Sequence, residues 1–99
     1  MVVMPERFQT LNPDPTKNGV RIERYKYEQI RDAILETVNT HGEIRFRDLT
    51  QEVESRLAGR FDGSVPWYVT TVKLDLEARG EIERVPYVTP QRLRVSLRG

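Results

Sequence analysis

The chain has 99 residues, 37% hydrophobic and 31% charged, which suits one domain with a single core and excludes two. No cysteine is present, so disulfides, thiolate metal sites and cysteine nucleophiles are excluded. Sixteen basic against fifteen acidic residues leave a net charge of +1, a weak balance for a polyanion binder, so distribution matters more than sum.

The start, Met1-Val2-Val3-Met4, is too short for a signal sequence and is cut off by Pro5 and Glu6. No apolar run approaches the ~20 residues of a membrane span, and the expectation is a cytoplasmic protein. Residues 1–24 read as an arm, with turn signals at Asn12-Pro13-Asp14-Pro15 and Asn18-Gly19 and prolines that block regular pairing. Phe8, Leu11, Val20 and Ile22 are too apolar for a free tail, so the arm is expected to lie against something.

Residues 25–99 read as the folded domain. A first helix is predicted over Lys26 to Thr40, with Tyr27, Ile30, Ile34, Leu35 and Val38 inward and His41-Gly42 as its close. Glu43-Ile44-Arg45-Phe46 reads as a short strand. A second helix buries Leu49, Val53 and Leu57, and Ala58 to Gly63 form a loop. The third helix is the best marked. Ser64 is its N-cap, Pro66 lies in its first turn, Gly80 is its left-handed stop, and Val65, Val69, Val72 and Leu76 form one apolar face. A hairpin follows from Ile82. Its closing strand alternates Leu93, Val95 and Leu97 with Arg92, Arg94 and Ser96, and its tip is Pro86-Tyr87-Val88-Thr89-Pro90, where Tyr87 is expected to cap the proline turn.

The order helix, strand, helix, helix, strand, tip, strand resembles a winged-helix (winged helix-turn-helix) domain. The resemblance implies an α+β fold, with three helices, a small antiparallel sheet and a C-terminal β-hairpin wing behind the arm. Trp67 to Arg79, WYVTTVKLDLEAR, is similar to a family of short uncharacterised bacterial proteins with a Trp-rich helix start and a Leu-Asp-Leu-Glu-Ala ending. Asn12-Pro13, Tyr27 and Pro90-Gln91-Arg92-Leu93 match further features of that family. The likeness carries no activity with it. The fold-level analogy alone points to DNA, with protein interaction as the minority use.

Two readings of the third helix follow, with DNA binding as the leading expectation and protein interaction as the alternative. As a DNA reader of transcription-regulator type, it offers Trp67, Thr70, Thr71 and Lys73, while Arg84, Arg92 and Arg94 of the wing, with Arg98 nearby, face phosphates. Asp75 and Glu77 oppose that by adding negative charge. As a protein-interaction module, most simply a homodimer, it uses the Trp67–Leu74 stripe opposite the core face, with Phe8 and Leu11 of the arm packed there. Arg45, Arg47, Arg56 and Arg60 alternate with Asp48, Glu52, Glu54 and Asp62, which predicts local pairing. His41 sits where a cation complements the helix dipole. The carboxylates are dispersed, Ser55, Ser64 and Ser96 lie in no nucleophile motif, and the six glycines form no phosphate loop. The expectation is a non-enzyme without cofactor, metal, membrane or small-molecule substrate.

Overall fold

The computed structural model describes residues 6–96. The expectations for residues 1–5 of the arm, for Leu97 as a third inward residue of the last strand, and for Arg98 as a phosphate contact lie outside the described residues.

The arm is a β-hairpin. β1 (Arg7–Gln9) and β2 (Arg21–Glu23) pair antiparallel, with Phe8 opposite Ile22. The prolines sit in the connecting loop, outside the ladder, where no pairing was expected; the two short strands on either side are what the turn signals did not show. The loop folds on its own side chains, Asn12 Oδ1 accepting from the Asp14 N–H and Asp14 Oδ1 from the Thr16 N–H, each at 2.9 Å. Thr10 closes its neck, bonding the Val20 carbonyl by N–H at 2.8 Å and by hydroxyl at 3.0 Å. Gly19 is required there, because a Cβ would stand 1.9 Å from the Thr10 carbonyl oxygen.

α1 (Arg24–His41) follows β2 without a loop and begins before the expected Lys26, since the Arg24 N–H still bonds the Glu6 carbonyl at 2.7 Å. Gly42, at φ +75°, ends it and returns its N–H to the Val38 carbonyl at 2.8 Å. β3 (Glu43–Arg45) runs straight into α2 (Phe46–Leu57). α3 (Val65–Ala78) starts on the Ser64 cap, whose Oγ accepts from the Trp67 N–H at 3.4 Å. It stops at Gly80, φ +76°, where the Glu81 N–H reaches back to the Leu76 carbonyl at 2.9 Å.

β4 (Ile82–Arg84) and β5 (Arg92–Val95) complete the wing, and β5 lies in the middle of an antiparallel sheet ordered β3-β5-β4. The fold is α+β with winged-helix topology. Its core joins Ile30, Ile34 and Val38 of α1, Leu49 and Val53 of α2, and Val69, Val72 and Leu76 of α3 to Ile82 and Leu93 of the sheet. All of these are sealed from solvent. Burying such side chains contributes about 1.5–3 kcal/mol each and fixes which side of α3 looks outward.

Candidate interaction face

The outward side of α3 carries Trp67 and Thr70, both exposed, and Thr71 and Leu74, both half-buried. Trp67 is 48% exposed, the only tryptophan in the chain. Its ring has one aromatic neighbour, the edge of Tyr68 at 4.9 Å, and Tyr68 in turn meets Phe61 edge-on at 5.0 Å. The arm reaches the other end of this stripe. Thr10, Leu11, Gly19 and Val20 line, with Thr71 and Leu74, a shallow depression of about 80 Å³. The expectation of an ordered arm on this side thus holds at Leu74, whereas Trp67 stays half-uncovered.

Phe8 does not join the outward face, which corrects its assignment as an interface residue. Its ring stacks on Tyr27 at 4.0 Å and lies between the guanidinium groups of Arg24 and Arg79, 4.8 and 4.9 Å away. β1 alternates, so the residue that faces α1 cannot face a partner.

The charged residues of α3 turn inward. Lys73, expected to contact nucleic acid, is 4% exposed, pairs with Glu77 one turn on at 2.5 Å, and lies 5.1 Å over the Phe46 ring. It lies one turn beyond Val69, and that places its stem on the core side. Asp75, expected as a surface charge opposing DNA, is fully buried. It accepts from the Tyr27 hydroxyl, from the Leu11 N–H at 2.8 Å, and from Arg79 Nε at 2.9 and 3.0 Å. Burial, and then the Asp75 carboxylate, hold the Tyr27 phenol above the usual tyrosine range. The hydrogen bond to Asp75 raises Arg79 likewise. Sequence reasoning missed this node. The traces it left are Arg79 four residues after Asp75 and a hydroxyl on the inward-facing Tyr27.

The wing arginines divide. Arg94 stands opposite Glu43 on one side and Glu83 on the other, and it bonds Glu83 through Nε at 2.7 Å and Nη2 at 2.6 Å. Arg92 reaches Glu43 only at 3.8 Å. Arg84 is exposed at the sheet edge. Directly across from Arg92 stands Arg45, for which local pairing was expected and which has no ion pair among the described residues. Arg45 and Arg92 border an open cleft of about 660 Å³, where Glu43, Asp48 and Glu52 balance them. His41 lies in the same cleft with Nδ1 2.9 Å from the Thr37 carbonyl. No cluster among the described residues is suited to hold a metal ion. Tyr87 caps nothing: it is wholly exposed at the wing tip, at φ +62°.

No helix of the described residues is long and apolar enough to cross a membrane. No curated protein matches the chain. The profile of one family matches residues 7–93, from the first residue of β1 into β5, and the chain belongs to that family, DUF6958, a family of unknown function.

Proposed function

We propose that the chain is a protein-interaction module that docks through the outward face of α3 and the rim of the arm hairpin. One observation carries this reading: Trp67 stands 48% exposed on a stripe with no charged side chain between it and Leu74. Exposed tryptophan is costly to leave bare, and tryptophan is enriched among the anchors of binding hot spots. A base-reading helix presents Arg, Lys, Asn or Gln on that side, and here the nearest candidate, Lys73, is turned into the core. A cytoplasmic setting is part of the proposal.

A second reading, duplex binding of regulator type, is favoured by the sheet. Arg45 and Arg92 face each other across β3 and β5, two cations side by side at the rim of a cleft that also holds Glu43, Asp48 and Glu52. They offer phosphate contacts, and Trp67, Thr70 and Thr71 would then face the groove.

One experiment separates the two. Wild-type chain and Thr70→Arg are immobilised and challenged with cell extract and with random duplex at about 50 mM salt. Interaction predicts a defined protein retained by wild type and lost from Thr70→Arg, with no duplex retained by either. Salt-sensitive duplex retention, abolished by the double change Arg45→Ala and Arg92→Ala, would replace the first reading by the second.

A further inference from the structure

The loop of the arm hairpin carries chemistry that the docking face does not use. The chain has three asparagines, and of these only Asn18 is followed by glycine. A backbone nitrogen that follows asparagine can attack the side-chain amide, and a side chain on that next residue hinders the approach. Glycine has none. Asn12 is followed by Pro13, which has no N–H to give up. Asn39 lies inside α1, where the Thr40 N–H is held in the helix ladder.

The fold leaves Asn18 open to this attack. It is exposed, in irregular chain outside β1 and β2. Neither its side-chain amide nor the Gly19 N–H has a hydrogen-bond partner among the described residues. Position 19 has no room for a shielding side chain, since a Cβ would stand 1.9 Å from the Thr10 carbonyl oxygen. The packing of the neck thus keeps the most reactive neighbour beside Asn18.

We propose that Asn18 is a site of self-modification, a slow chemical clock built into the arm. The Gly19 nitrogen bonds to Asn18 Cγ, the Cγ–Nδ2 bond breaks, and the Gly19 proton leaves with the amide as ammonia. The cyclic imide that results takes up one water at either carbonyl. Opening at one carbonyl gives aspartate on an unchanged backbone. Opening at the other gives isoaspartate, whose main chain runs through the side chain and is longer by one methylene.

The two products act differently on the arm. Thr10 is buried and grips Val20, donating to its carbonyl through N–H at 2.8 Å and hydroxyl at 3.0 Å. Its Oγ1 also accepts from the Val20 N–H at 2.8 Å. The added methylene falls one residue from this neck, where Gly19 already abuts the Thr10 carbonyl. Leu11 comes next in the chain, and its N–H ties the arm to Asp75 at 2.8 Å. Isoaspartate at position 18 therefore loosens the arm from α3, whereas aspartate leaves it docked.

The test is to hold the folded chain in warm neutral buffer and follow each asparagine by peptide mass spectrometry. Asn18 is expected to lose its amide roughly ten-fold or more faster than Asn39, whose turn of helix must open first. Asn18→Gln, which would have to close a larger ring, should keep its amide. The isoaspartyl fraction is recognised by its resistance to an endoproteinase that cuts before aspartate. Hydrogen exchange at the Leu11 N–H should be roughly ten-fold or more faster in that fraction than in Asn18→Asp, which carries the same charge on an ordinary backbone. An Asn18 amide that persists as long as that of Asn39 overturns the proposal, and its rapid loss in urea would show that the loop protects it. Equal Leu11 protection in the isoaspartyl fraction and in Asn18→Asp overturns the loosening of the arm. Neither result depends on what the face of α3 binds.

Discussion

The two halves of α3 treat polarity in opposite ways. In the first half, the aromatic Trp67 and the neutral Thr70 face outward. In the second, Lys73 and Asp75, both charged, are buried. The difference lies in what surrounds each side chain rather than in its polarity. Asp75 has donors converging from three elements: the phenol of α1, the Leu11 N–H after β1, and Arg79 just past its own helix. Lys73 has Glu77 and the face of Phe46. Trp67 has the edge of Tyr68 beside it and stands 48% exposed. A buried charge with every partner in place is a specificity device, whereas an exposed aromatic with few contacts is an opportunity for association.

Asp75→Ala is expected to break the second half most severely. It leaves a phenol, a backbone N–H and a guanidinium without their acceptor, at about 3–5 kcal/mol in chemical denaturation. Asp75→Asn should lose less, since an amide oxygen still accepts. A loss below about 1 kcal/mol for the alanine variant would mean that the second half is held by its apolar residues alone.

Tyr27 gives a middle-sized effect with a sign that can be worked out. Its phenol, ordinarily at 10.0, is held higher in the folded chain by burial and then by Asp75. A raised folded value means that the neutral phenol contributes stability fully below about pH 10, and that this is lost as the pH climbs above it. Wild type should therefore lose stability between about pH 9 and 11 more steeply than Tyr27→Phe, read from urea midpoints. At neutral pH, Tyr27→Phe should cost about 1.5–3 kcal/mol, the worth of a hydrogen bond to a charged acceptor. Equal alkaline slopes would show that Tyr27 ionises as freely in the fold as out of it.

The same contrast explains what could be read from the chain. The caps of α3, the stop at Gly42 and the alternation around Leu93 were legible because each is decided within a few residues by backbone chemistry. The arm hairpin was not. Its strands are three residues each, and their register joins Phe8 to Ile22 across a proline-containing loop, so the local pattern shows only turns. The inward turn of Lys73 and Asp75 needs Phe46, Tyr27 and Leu11, which are distant in sequence. Arg45 was paired on paper with the acids of α2, and only the β3–β5 register sets it against Arg92. The apolar stripe opposite the core was legible. How far the arm would cover it was not, because Phe8 stacks on Tyr27 instead.

Trp67→Ala should have the smallest effect on the isolated fold and the most telling one on the comparison. The ring loses one edge contact with Tyr68 and part of its packing, so a dilute chain should lose no more than about 1 kcal/mol in stability. Because it is the only tryptophan, the emission of the wild-type chain reports on this site alone. In dilute solution it should be red-shifted and open to iodide quenching, as 48% exposure requires. Covering of the face by a partner should shift it blue and shield it, and Thr70→Arg should abolish that change while leaving the dilute spectrum as it was. A shielded ring at every dilution would mean that the two halves of α3 are buried alike. The contrast between them, and the docking face built on it, would then be lost together.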